Sequence, residues 1–253
     1  MLSRNVSIRD ESDSLCLTKE NLKRSKVVGQ FDEKVILLTC DIEIKIDRHL
    51  VEVLQPTKNT RKYIFGIDQH AGHERILLER FENECIDYFH LFSNVNNSER
   101  AFSRDVSIKL TGKDVDDIYR HLKHKLTKSL KLSNYGFAAY FERCNKQNII
   151  HVTKIPLMIC RKDVTEKLII EVITKCIRTL VADGGKSHGE KVHNIMQAIY
   201  PILQSRACHS AIRFGSKLNK NQMKLLISQL SECRLPFQCA HGRPTCALIK
   251  IIE

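Results

Sequence analysis

The chain has 253 residues, enough to bury a core as one domain or two small ones, and its 42% hydrophobic content with mixed charges excludes a disordered polymer. No run approaches the ~18 consecutive apolar residues of a membrane-spanning helix, and the opening MLSRNVSIRDESDS lacks the apolar centre of a secretory signal, which places the protein inside the cell without a membrane partner. Lys plus Arg number 41 against 29 Asp plus Glu, and the resulting charge of +12 favours polyanions such as nucleic acid, although it also serves solubility.

Residues 1–26 are polar and charged and read as a loose leader. Strand-like runs enriched in Val, Ile and Tyr follow at 34–40, 42–46, 50–54 and 63–67. From 71 to 89 the pattern changes to helical, with Ile76, Leu77, Phe81, Cys85 and Phe89 on one side. The polar stretch FSNVNNSER, 92–100, is a candidate boundary. An alternating strand at 106–110 precedes a helix over 115–132. That helix has an apolar stripe, and its other faces carry Arg120, His121, Lys123, His124, Lys125, Lys128 and Lys131. Such a basic face suits phosphates, and equally suits plain solvation. Strands at 136–141 and 148–155 and a helix at 165–180 lead to ADGGKSHGE, 182–190, a second candidate boundary. Its Gly185-Lys186-Ser187 resembles a phosphate loop, but Leu180 stands where that motif requires glycine. Helices at 190–205 and 219–232 and a strand at 245–252 complete the pattern. Helices and strands alternate without a βαβ rhythm, so the expected class is α+β.

Ten cysteines occur without CxxC spacing, which argues against a disulfide framework and for small core residues. The stretch IDQHAGHERILLE, 67–79, concentrates ligand-type side chains where a strand meets a helix. On a helix starting near His70, His70 and Glu74 share a face, and Asp68 lies just before the first turn. This set suits zinc or manganese, although acidic groups also favour a helix start through its dipole. Glu79 points elsewhere and is expected to form a surface ion pair with Arg75. His73 lies off the ligand face. Further along, Cys208 and His209 end a helical run, and Cys239-x-His241 sits on a turn able to present both side chains to one metal. Each of these alone is weak, since a single buried cysteine is most often core.

Taken in order, Asp68-Gln-His-Ala-x-x-Glu74-x-x-x-x-Glu79, Ala207-Cys-x-Ser-Ala211 and Cys239-x-His-Gly-Arg-Pro244 resemble the endonuclease-type MutL mismatch-repair family. The similarity runs from about Val27 to Ile252. Within the family, His209 and Ala240 resemble the third homologue, the meiotic-crossover subunit, more than the postmeiotic-segregation branch. The resemblance implies catalytic Asp68 and Glu74, and metal ligands Asp68, His70, Glu74, Cys208, Cys239 and His241. Zinc is implied as a bound metal, and manganese or magnesium as the metal of cleavage. It implies a dimerisation and endonuclease subdomain formed by 27–91 and 190–253, with a regulatory subdomain, 92–189, inserted. It also implies the first MutL homologue as heterodimer partner, double-stranded DNA, contacts with MutS-type complexes and a sliding clamp, and a nuclear location. The family's ATPase motifs are not in this sequence, so no ATP site is expected in it. Two readings follow: an endonuclease subunit that nicks duplex DNA, or a zinc-stabilised dimerisation scaffold with little activity. A basic zinc-stabilised DNA-binding module is a third, resting on charge alone.

Overall fold

The structure, a computed structural model, describes residues 6–9, 14–43, 60–94, 103–122, 135–159, 165–182 and 187–252. The chain divides into two compact units, Met1–Glu79 with Ser210–Glu253, and Arg80–His209. Both combine helices with antiparallel sheets, so the α+β class holds.

In the first unit β1 (Val6–Arg9) pairs with β2 (Ser14–Leu17), and α1 (Lys19–Arg24) follows. A four-stranded antiparallel sheet comes next: β3 (Lys26–Phe31), β4 (Val35–Glu43), β5 (Thr60–Asp68) and β9 (Cys246–Ile252), in that spatial order. Strand alternation separates two faces. Ile36, Leu38, Cys40 and Ile42 of β4 and Tyr63, Phe65 and Ile67 of β5 are buried. Helix α6 (Lys220–Glu232) supplies Met223, Leu226, Ile227 and Leu230 to the same core at helical spacing. A capping box between Asn219 and Gln222 starts that helix.

Among the described residues the opposite face of the sheet has no covering element. Phe31 is 64% exposed, Ile249 54% and Ile252 37%. Gly66 lies between them in the sheet, paired with Leu37 and Ala247. A Cβ there would meet Val35 Cγ1 at 2.9 Å and Ile249 Cδ1 at 3.0 Å. The missing side chain lets its neighbours close over the strand and keeps this face low and apolar.

The second unit is built on a three-stranded antiparallel sheet in the order β6 (Ser103–Leu110), β8 (Gln147–Pro156), β7 (Ala138–Cys144). Asn145 and Lys146 turn the β7–β8 hairpin with φ of 49° and 69°, as a tight hairpin turn requires. Ile150, Val152 and Ile155 form a core with Val115 and Ile118 of α3 (Lys113–Leu122) and with Val172, Ile173, Cys176 and Ile177 of α4 (Glu166–Ala182).

Two expectations need correction. The leader is not loose from Ser14 onward: Leu17 and Leu22 are each 2% exposed and belong to the first unit's core. A capping box between Thr18 and Asn21 stabilises α1 within the otherwise polar stretch. The runs at 34–40 and 42–46 form one strand as far as Glu43, while 44–46 and 50–54 lie outside the described residues. The two compact units divide at 79/80 and 209/210. These divisions fall within the continuous helices α2 (Gln69–Asn94) and α5 (His188–Ser210), where no change of composition marks them. The basic helix is described only to Leu122, so Lys123, Lys125 and Lys128 lie outside.

Leu22→Ala tests the first correction. It should cost about 2–5 kcal/mol, the range for truncating a buried leucine, measured as a lower urea midpoint. A loose leader would leave the midpoint unchanged.

Candidate metal centre

β5 runs into α2 without a loop. Asp68 pairs with Val35, and its backbone N–H donates to the Thr245 carbonyl at 3.0 Å. The next N–H, that of Gln69, donates to the Lys34 carbonyl at 3.0 Å. Asp68 Oδ1 accepts the Ala71 N–H at 2.9 Å and so caps the helix. The backbone is held on both sides at the point where it changes from strand to helix.

One turn along, the ligand-type groups converge. His70 Nδ1 lies 2.9 Å from the Ile212 carbonyl. A carbonyl only accepts, so Nδ1 carries the proton and Nε2 presents its lone pair. That Nε2 is 3.7 Å from Glu74 Oε2, an approach of two electron-rich atoms suited to a shared cation. Glu74 is only 3% exposed. Its Oε1 lies 2.6 Å from His241 Nδ1, but the contact lacks hydrogen-bond direction, and Oε1 accepts no hydrogen bond among the described residues. Distance alone would make this an ion pair; the missing direction makes two ligand atoms facing a common point the better account.

Cys239 joins them from the 237–245 turn. Ligand atoms of Glu74, Cys239 and His241 lie within 4.8 Å of one another. The His241 N–H donates to Cys239 Sγ at 3.3 Å. The turn closes through Cys239 N–H to the Arg243 carbonyl at 2.8 Å and Gly242 N–H to the Cys239 carbonyl at 3.1 Å. Gly242 adopts φ of 82°, which favours glycine there. One thiol, one imidazole and one buried carboxylate, with His70 alongside, fit zinc in type and number.

Asp68 stands apart from this cluster among the described residues, its Oδ1 engaged at the helix cap. Cys208 is half-buried in the last turn of α5 and belongs to the second unit. Four other cysteines behave as core, since burial pushes the Cys85, Cys176, Cys233 and Cys246 thiols up to about 12 and they stay protonated, whereas Cys144 is exposed.

Around the ligands lies a buried polar frame. Glu79 was expected at the surface, paired with Arg75. It is paired with Arg75, at 3.7 Å, yet it is 7% exposed and Arg75 5%. The Glu79 carboxylate also accepts the Arg234 and Leu235 N–H groups at 2.6 and 3.0 Å. Arg75 in turn donates to the Gln238 and Cys239 carbonyls. Five positions around a helix would carry Glu79 away from Glu74, but the chain at 234–239 packs over that side as well.

Sequence reasoning also missed Gln69, which is fully buried. Its Nε2 reaches the carbonyls of Glu33, Arg213 and Ser216 at 2.7, 3.1 and 3.2 Å, and its Oε1 accepts from Gln30 at 2.6 Å. The available signal was an amide between Asp68 and His70, where a surface position has no need of one.

No family model matches the chain. Curated relatives do. Human DNA mismatch repair protein Mlh3 is 28% identical across 79% of this chain and 14% of its own length. MLH3 of Saccharomyces cerevisiae is 24% identical across 90% of this chain and 31% of its own. The chain is thus similar to MutL-type mismatch-repair proteins over most of its length. A bacterial relative, MutL of Dictyoglomus thermophilum, is 27% identical across 73% of this chain and 27% of its own length. The chain spans less than a third of the length of each of these relatives. Among its described residues no helix is long and apolar enough to cross a membrane.

Replacing Arg75 with Met leaves Glu79 with only the exposed Arg234 as cation and two carbonyls without their donor. The expected cost is about 3 kcal/mol, together with faster zinc loss to a chelator, read by chemical denaturation and metal analysis. Unchanged stability and zinc retention would separate Arg75 from the 238–241 turn.

Proposed function

We propose that the chain is the metal-dependent endonuclease part of a MutL-type heterodimer that nicks duplex DNA in mismatch repair and meiotic crossover formation, in the nucleus. The observation that carries this reading is Glu74: a carboxylate 3% exposed, whose Oε1 lies 2.6 Å from an imidazole nitrogen yet accepts no hydrogen bond among the described residues. Burying an unpaired carboxylate is costly unless a cation compensates it.

His70, Glu74, Cys239 and His241 are assigned to zinc, and the assignment of Cys208 to the same ion rests on the family resemblance. Asp68 and Glu74 are assigned to a harder ion, manganese or magnesium. Such an ion polarises a phosphodiester and makes water a nucleophile near neutral pH. The chain's own contribution is orientation: the Ile212 carbonyl fixes the His70 ring, the turn at 239–242 fixes Cys239 and His241, and the sheet end fixes Asp68.

The first MutL homologue is assigned as partner, with MutS-type complexes and a sliding clamp as further contacts. The uncovered sheet face with Phe31, Gly66, Ile249 and Ile252 supplies an apolar surface for that association. Ile249→Glu should abolish co-purification with the partner while leaving the circular dichroism of the chain intact. A complex that survives the charge would move the interface elsewhere.

One observation favours the scaffold reading. Asp68 has a structural role as helix cap and stands outside the ligand cluster. Nicking of supercoiled plasmid in manganese decides the matter, using the heterodimer and the same complex with Asp68→Asn. Asparagine still caps the helix, so the fold should hold. Nicking is expected to fall by about a hundredfold or more, within the range for removing one electrostatic stabiliser. Equal nicking by both complexes would remove Asp68 from the chemistry, and none from a zinc-loaded wild-type complex would support the scaffold.

A further inference from the structure

The loop between α5 and α6 holds an aromatic ring at the rim of the metal centre. Phe214 is 51% exposed, and its ring centroid lies 5.5 Å from that of His70. Exposing a large apolar ring is unfavourable, and this loop has little freedom to turn it inward. The Ile212 N–H donates to His73 Nδ1, and the Ile212 carbonyl holds His70, both at 2.9 Å. Gln69 grips the Arg213 and Ser216 carbonyls. The Gly215 N–H donates to the Glu33 carbonyl at 3.1 Å, with Gly215 at φ of 83°. Gln69, His70 and His73 at the start of α2 thus fix the loop that presents Phe214. Arg213 and Lys217 flank the ring, both exposed, and neither forms an ion pair among the described residues.

We infer that this loop positions DNA at the metal centre, with Phe214 stacking on a base of a locally opened strand and Arg213 and Lys217 taking flanking phosphates. A ring on a backbone-held loop, with a cation on either side of it in sequence and neither ion-paired among the described residues, complements a nucleic-acid strand, whose bases offer flat faces between regularly spaced negative charges. A protein surface would have to place two carboxylates at matching positions to do the same. The inference rests on the proposed nuclease reading for the identity of its ligand. It adds a positioning residue that lies outside the metal-ligand set.

The test uses the heterodimer, zinc-loaded and without added manganese, and a fluorescent duplex with a short unpaired stretch. Phe214→Ala should weaken binding about tenfold, within the range for losing one stacked base. Phe214→Tyr, which keeps the ring, should bind within about twofold of wild type. Arg213→Gln with Lys217→Gln should lower the slope of log affinity against log salt by about two, while Phe214→Ala leaves that slope unchanged. Zinc content and heterodimer mass should be the same in all of them. Unchanged affinity of Phe214→Ala overturns the inference. So does zinc loss in that variant, which would make the ring a shield for His70, or loss of the heterodimer, which would make the loop a partner contact. Binding is read without cleavage, so a complex that binds as expected yet never nicks would sink the endonuclease reading and leave this one standing.

Discussion

The candidate centre depends on a strand that becomes a helix with no loop between. A turn of that kind leaves backbone donors and carbonyls that must find partners inside the protein. Asp68 answers one of them at the cap, and the Lys34 and Thr245 carbonyls answer two more. The Gln69 side chain ties other segments to the turn, because a buried amide can donate to several carbonyls and accept in the same place. Once Gln69 is fixed, the β3–β4 turn and the 213–216 loop are fixed against it. His70 then follows on a helix whose start cannot rotate.

The same economy governs the second wall of the site. Arg75 and Glu79 are both buried, and a buried pair is tolerated only where its remaining hydrogen-bonding capacity is met. Glu79 meets it with the Arg234 and Leu235 N–H groups, and Arg75 with the carbonyls just before and at Cys239. One face of α2 therefore supplies His70 and Glu74 while a neighbouring face anchors the turn that brings Cys239 and His241. A single helix links segments far apart in sequence, and its charged residues do so because their partners are backbone groups of those segments.

Much of this was legible in the sequence. Periodicity located α2, α4, α6 and β9 to within a few residues, because long amphipathic stretches with caps resist other readings. His70 and Glu74 on one face followed from helical spacing. Less was legible where polar residues fold inward. Thr18 and Asn21 cap a helix whose Leu22 is core, but six residues of helix inside a charged stretch carry almost no periodic signal. Glu79 and Gln69 looked like surface residues because composition cannot show that their partners are backbone groups more than a hundred positions away.

By itself the sequence determined the α+β class, the order of the elements and the presence of three ligand-bearing segments resembling MutL. Those depend on local periodicity and on motif order, both carried by neighbouring residues. Only the tertiary structure decided that Cys239 and His241 lie against Glu74 and that Arg75 and Glu79 are buried. The reason is physical: each of those facts is a long-range pairing of a side chain with a distant backbone or ligand atom. Burial and hydrogen bonding settle such pairings only after the chain has folded back on itself.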